Sequence, residues 1–292
     1  MQSPYDGARP GGQNRGVVES LHTWVINLDR APDRLARARA QLDALGLPWT
    51  RLPAVDARAL TPEQAAALDE PAYCRKHGMT PSLGELGCYL SHIEVMRALL
   101  ASPYEFALIL EDDVLLHETL PAVLEGLVAC SARWDVVKLS AVHSGTPVPY
   151  LQVAPGHSLA VMLSRCTGSS AYVLNRRAAK AYVAGLLPMS LPYDHVFDQG
   201  WRFDLKYRLV TPTPCGHDQE IESTIVAGPN RKFPKWQRLS TYAYRLGNEL
   251  RRARYGLTHA LLEKAGGRLL GGSPRPAGSG GGPGDVGAQR GR

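Results

Sequence analysis

The chain has 292 residues and a formal net charge of +6, from 33 Lys/Arg against 27 Asp/Glu. No run of 18 apolar residues occurs, which excludes a membrane-spanning helix as a reading, and 44% hydrophobic residues exclude disorder throughout. Five cysteines, an odd number with no C-x-x-C pair, argue against a disulfide framework and a zinc ribbon, so reduced thiols in the cytoplasm are expected.

The charge is unevenly spread. Residues 231–292 hold 13 Lys/Arg against 3 Asp/Glu, and the first 230 hold 20 against 24. Residues 1–20, rich in Gly and Pro at their start, read as a disordered lead without the apolar core of a signal peptide. Thr23-Trp24-Val25-Ile26-Asn27-Leu28 predicts a strand, and Pro32 suits a first helical position. The helix that follows carries Leu35, Ala38, Leu42 and Leu45 at apolar spacing, and Gly46 with Pro48 stops it. A second strand over 49–55 ends at Asp56. This strand-helix-strand unit implies parallel strands, and open α/β sheets bind ligands at the carboxyl ends of their strands. Asn27, Arg30, Arg34 and Asp56 fall at that edge, where they either hold a nucleotide or decorate a surface turn.

Residues 59–73 predict a helical excursion over the sheet. Ser82-Leu83-Gly84-Glu85 has the spacing of a capping box and opens a helix bearing Leu86, Leu90, Ile93 and Leu100, which carries Ser91 and His92. A lone histidine on such a helix is either a packing residue or a chemical one. The stretch Ala107-Leu108-Ile109-Leu110-Glu111-Asp112-Asp113-Val114-Leu115-Leu116 is the most informative of the chain, because an apolar strand delivers three consecutive acids to the lip of a sheet. Carboxylates this close raise one another's pKa unless a cation neutralises them. A hard divalent ion such as Mn²⁺ or Mg²⁺ is the natural partner, and a solvated acidic turn is the plain alternative.

Another strand is predicted over 134–139, and a hairpin or extended segment over 153–163. Gly168-Ser169-Ser170 forms a small-residue loop entering a strand, where glycine permits close approach of a sugar or phosphate. A helix follows over 175–186. Asp194 and Asp198 form a second acidic candidate, and His217 is placed to complete a metal's coordination. Residues 231–265 form a basic amphipathic segment with a helix over 236–255, suited either to an anionic membrane face or to docking on the core. No nucleic acid is expected, since basic charge here comes without a reading module. Residues 266–292 read as a disordered Gly/Pro/Arg tail.

Several of these stretches occur together and in order: Val25-Ile26-Asn27-Leu28-Asp29-Arg30 with Asp33-Arg34, Ala54-Val55-Asp56, Gly84-Glu85-Leu86-Gly87-Cys88-Tyr89-Leu90-Ser91-His92, the acidic strand, and Gly168-Ser169-Ser170-Ala171-Tyr172. In this the chain resembles glycosyltransferase family 25, which includes bacterial lipooligosaccharide galactosyltransferases and relatives of the collagen galactosyltransferases. The resemblance covers about residues 21–225, within a catalytic domain expected over 21–230. It implies an α/β fold of the GT-A type, a mostly parallel central sheet flanked by helices that binds a nucleotide sugar. It also implies a UDP-sugar donor, usually UDP-galactose, inversion at the anomeric carbon, and a glycan or lipid-linked acceptor at the cytoplasmic face of the inner membrane. Glu111-Asp112-Asp113 departs from the family's Asp-x-Asp signature as a Glu-x-Asp form.

On this reading Glu111, Asp113 and His217 hold the divalent ion, which neutralises the departing diphosphate as a Lewis acid. Asn27, Arg30, Arg34, Asp56, Ser91, His92, Asp112, Gly168 and Ser169 bind the donor. Asp194 takes the acceptor's proton, with Glu85 and Asp198 as alternatives. Two other classes stay open, a metal-dependent nucleotidyltransferase or phosphoesterase, and a non-catalytic relative that binds a nucleotide or a membrane.

Overall fold

A computed structural model describes residues 19–143, 145–217 and 232–270, with His217 and 266–270 described by backbone alone. Its elements run β1 (Leu21–Asn27), α1 (Pro32–Ala44), β2 (Trp49–Pro53), α2 (Glu70–His77), α3 (Leu83–Ala101), β3 (Phe106–Glu111), β4 (Val114–Leu116) and α4 (Leu120–Ala129). They continue β5 (Val136–Lys138), β6 (Pro147–Ala154), β7 (His157–Met162), β8 (Ala171–Asn175), α5 (Arg176–Gly185), β9 (Tyr207–Thr211), β10 (Cys215–His217) and α6 (Leu239–Leu270).

Eight strands form one sheet in the order β2-β1-β3-β8-β5-β9-β7-β6. The pairs β1–β2, β1–β3 and β5–β9 are parallel, whereas β3–β8, β5–β8, β7–β9 and β6–β7 are antiparallel. The sheet is therefore mixed, and its longest parallel run is β2-β1-β3. Every residue of β1 is buried, as expected for a strand covered on both faces. Trp24 and Ile26 pack with α3 and α5 on one face, while Val25 packs with Leu42 of α1 and Leu124 of α4 on the other. Period-two alternation along β3 likewise divides Ala107 and Ile109 from Leu108 and Leu110.

The capping box of α3 forms as the spacing predicts: the Ser82 hydroxyl accepts from Glu85 N at 3.1 Å, and Glu85 Oε2 accepts from Ser82 N at 2.8 Å. A Cβ on Gly87 would meet Val55 O at 2.7 Å, so this glycine lets residues 54–57 lie directly on the helix.

Four expectations about local structure change. The excursion over 59–73 is two pieces, a turn at Pro62–Ala65 and α2, because Asp69 caps a fresh start by accepting from Ala72 N at 3.0 Å. Of the hairpin or extended segment expected over 153–163, the hairpin forms, but it begins earlier, at Pro147, as β6–β7. Trp134, expected in a strand, is buried with its indole N–H donating to Leu127 O at 2.8 Å, and the strand begins two residues later. The last helix starts at Leu239, after a 3₁₀ turn at Lys235–Arg238, and continues through Gly266 and Gly267 to Leu270. Residues 1–18 and 271–292, which contain most of the expected disordered ends, lie outside the described residues.

Candidate functional site

The carboxyl ends of β1, β2 and β3 open onto a cleft of about 670 Å³, counted out to its mouth. Strand register assembles it. Ile26 pairs with Glu111 as the last step of the β1–β3 ladder, so the next residue of each strand, Asn27 and Asp112, meet beyond it. Asn27 Nδ2 donates to Asp112 Oδ2 at 2.6 Å and to Ala31 O at 2.9 Å, and Asn27 Oδ1 accepts from Arg51 Nε at 3.0 Å. Asn27, expected on the ligand, thus has its amide committed to the fold and orients Asp112.

Arg34, from the first turn of α1, pairs with Asp112 Oδ1 at 2.5 Å and Asp113 Oδ2 at 2.9 Å. Burial pushes the Asp112 carboxyl up from the ordinary range, and the Asn27 amide and Arg34 guanidinium oppose that shift. Arg30 lines the cleft and donates to Asp56 Oδ2 at 2.5 Å. Asp56 also accepts from the backbone and side chain of Arg58, which hold it below the usual carboxylate range.

His92 is fully buried at the floor. Its Nδ1 lies 2.9 Å from the Tyr172 hydroxyl, its ring stacks on Tyr193 at 4.1 Å, and its Nε2 faces Glu111 Oε1 at 3.3 Å. Ser91 is spent on structure, accepting from Val55 N at 2.9 Å and donating to Gly87 O at 2.7 Å, and so fastens the cleft wall to α3.

The second rim is built on the 168–169 loop. Gly168 adopts φ +89°, and a Cβ there would crowd Val142 at 3.2 Å, so both conformation and space favour glycine. Its N–H donates to Asp194 Oδ2 at 3.2 Å, and the next residue, Ser169, donates to Glu111 Oε1 at 2.9 Å. Two consecutive residues thereby join the acidic strand to Asp194. Asp194 is not among the residues lining the cleft and stands beside it, with His195 Nε2 at 3.9 Å. Burial holds His195 and its neighbour His77 below the usual imidazole range, His77 at about 4.

Two expected alternatives to Asp194 have other work. Glu85 spends one oxygen on the cap of α3, and the other accepts from the Tyr73 hydroxyl at 3.0 Å. Asp198 is buried and ion-paired with Arg252 at 2.6 Å, out of reach of a ligand.

The ligating groups also gather differently from expectation. Among the described residues, donor atoms of Cys88, His92 and Glu111 come within 4.8 Å of one another, whereas Asp113 turns to Arg34. His217 lies in β10, whose backbone pairs it with Val114, the residue after Asp113; its side chain is outside the described atoms. Glu111, Asp113 and the buried His92 all line the cleft, and carboxylate and imidazole are donor types that divalent ions take, but only Glu111 and His92 of these three stand in the gathered group.

Two residues escaped sequence reading. Cys88 sits four positions before His92 on α3, a spacing that puts both on one helix face, yet a single Cys-x-x-x-His is too common to single out. Lys138 is fully buried and donates to Cys166 O at 3.1 Å and Thr167 O at 2.8 Å, which fixes the approach to Gly168. Nothing in Val136-Val137-Lys138 marks it in advance.

Known proteins share this arrangement of sequence. Residues 20–197 match Glycosyltransferase family 25 (LPS biosynthesis protein). A glycosyltransferase 25 family member of Aedes aegypti is 35% identical over 97 residues, 32% of this chain and 16% of that protein. Procollagen galactosyltransferase 1 of Danio rerio is 28% identical over 180 residues, 59% of this chain and 30% of that protein. A probable inactive glycosyltransferase 25 family member 3 of Bos taurus is 30% identical over 198 residues, 60% and 31% respectively. The chain thus spans less than a third of the length of these relatives. With more than half of its residues in the family match, the chain belongs to glycosyltransferase family 25.

Proposed function

We propose that the chain transfers a hexose, galactose by analogy with the procollagen galactosyltransferase it resembles, from a UDP-sugar to a glycan acceptor of lipooligosaccharide or a related surface glycan, with inversion. The observation that carries this reading is the cleft itself, which Arg30 and Arg34 line together with Glu111, Asp112 and Asp113 at the ends of parallel strands. Guanidinium groups at such an edge bind phosphate oxygens through charge-assisted, geometrically matched hydrogen bonds. Arg30 and Arg34 then hold the diphosphate, and Asn27 keeps Asp112 in place beside them.

A divalent ion, Mn²⁺ or Mg²⁺, would be held by Glu111 and Asp113 with His92 beneath, where it supplies Lewis-acid neutralisation of the departing diphosphate. His217 is the further ligand of this reading. Asp194 accepts the proton of the incoming acceptor hydroxyl, a role that suits a carboxylate oriented by the Gly168 N–H. Inversion follows from one displacement, with the acceptor opposite the leaving group.

The test is donor hydrolysis and acceptor transfer over a panel of UDP-sugars with Mn²⁺, beside an Asp113→Ala variant. Turnover of one UDP-sugar that requires metal and is lost in the variant is the expected result. Metal-dependent UDP binding without turnover would place the chain with non-catalytic relatives, and release of nucleotide independent of any sugar acceptor would favour a phosphoesterase.

A further inference from the structure

Helix α6 is built with its polar side inward. Arg252, 2% exposed, grips buried Asp198 through two nitrogens at 2.6 and 3.2 Å. Glu263 pairs with buried Arg208 at 2.9 Å and also with Arg133. The Tyr255 hydroxyl donates to Leu205 O at 2.6 Å and accepts from Tyr207 N at 2.9 Å, and Thr241 donates to Arg75 O at 2.9 Å. Contact is close: a Cβ on Gly256 would fall 2.4 Å from Met162 O.

The leucines of this helix are left outside. Leu239, Leu246, Leu250, Leu257 and Leu261 are 54–72% exposed, and their steps of seven and four keep them on one face. With Trp236, Tyr242 and Leu262 they make up eight of the eleven exposed large hydrophobic side chains among the described residues. A helix on a protein core normally turns its apolar stripe inward, so an apolar stripe turned outward calls for a partner. Around it, Lys232, Lys235, Arg245, Arg251, Arg254 and Lys264 are exposed against a single exposed acid of residues 232–265, Glu249.

We infer that this face docks on an anionic lipid bilayer, with the leucines and Trp236 in the acyl boundary and the basic side chains against acidic headgroups. The charge argues for lipid over a second copy of the chain, because pairing two such faces would set like charges against each other. No helix among the described residues is long and apolar enough to cross a membrane, and the contact inferred for α6 lies in the plane of the surface. The docking stands without the transferase reading, but its use rests on that reading. Helix α6 lies on the segment that carries Asp194, through the Arg252–Asp198 pair and the contact of Gln199 Nε2 with the Tyr244 hydroxyl at 3.4 Å. A bilayer on the outer face of α6 therefore brings a lipid-linked acceptor to the side of the proton acceptor.

The experiment is flotation of the full chain with vesicles of phosphatidylcholine alone and of phosphatidylcholine with phosphatidylglycerol, across a salt series. Binding to the phosphatidylglycerol vesicles that weakens with salt is expected. Leu246→Asp with Leu250→Asp should abolish it, and Arg251→Gln with Arg254→Gln should weaken it about thirtyfold. All four side chains are exposed, so circular dichroism and transfer to a water-soluble acceptor should match the parent. Absence of binding, or equal binding to both vesicle types, would overturn the inference. So would a concentration-dependent dimer that the leucine variant dissolves, which would assign the face to a second copy. Because flotation needs no donor sugar, its failure is distinct from failure of the transferase reading.

Discussion

The cleft and helix α6 both set charged groups against apolar ones, and they do so in opposite senses. At the cleft, buried apolar β3 runs outward and presents Glu111, Asp112 and Asp113 at its open end, where Arg34 pairs with Asp112 and Asp113, and Arg30 lines the same cleft paired with Asp56. In α6 two charged side chains, Arg252 and Glu263, point inward and fasten the helix to Asp198 and Arg208, and the leucines face out among exposed basic side chains. Placement therefore decides what a charge does. An ion pair at the rim of a cavity can be exchanged for a ligand, whereas one sealed beneath a helix contributes to structure and is costly to break.

The strongest way to break this contrast is through Asp194. On the proposed role, Asp194→Asn should lower kcat by about 10² to 10⁴ with UDP affinity retained, since it removes the proposed proton acceptor and keeps the shape. Steady-state transfer beside UDP titration calorimetry reads both numbers. The matching test on the helix is Arg252→Met, which leaves Asp198 buried without its partner and should cost about 3–5 kcal/mol in denaturant unfolding. Equal stability of this variant would mean that the pair does not hold α6. Gly87→Ala should cost about 2 kcal/mol and raise KM for the donor, because its Cβ would push Val55 O away from the cleft wall.

The smallest effect is a pH dependence. His22 is buried, with Nε2 2.8 Å from Thr50 Oγ1 and its ring stacked on Tyr104, and burial lowers its pKa from 6.5 to about 4. The unfolded chain binds the proton first, so the stability from neutral His22 is full above pH 6.5 and is lost as pH falls toward 4. Between pH 6.5 and 5 this amounts to about 1.5 kcal/mol. Urea midpoints measured across that window should fall less steeply with acid in a His22→Gln variant.

Much of the cleft was legible because it lies on strands and a helix whose patterns are strong. The apolar run of β3 and the strand-helix-strand unit place Arg34 beside Asp112, and Ser82 with Glu85 announces α3. The same capping box should have warned against Glu85 as a proton acceptor, since a carboxylate that caps a helix is already bonded. Asp198 misled for a different reason: its partner, Arg252, is 54 residues away, and no local pattern reveals a contact of that separation. The helix was legible as basic and amphipathic, but not the direction it faces. Its leucines are as compatible with a core as with an exterior, and only the tertiary positions of Asp198, Arg133 and Arg208 turn the charged side inward.

The loop at Gly168 and Ser169 acts as a ruler. Adjacent residues hold Asp194 on one side and Glu111 on the other, so the span between the two carboxylates is set by a single peptide unit. An inserted residue there would lengthen that span by up to about 3.5 Å, enough to separate the two groups that the proposed reaction sets on opposite sides of one sugar carbon. Lys138, clamped on the two carbonyls just upstream, anchors the ruler to the sheet. The tolerance for inserted length that ordinary surface loops enjoy does not extend to this one.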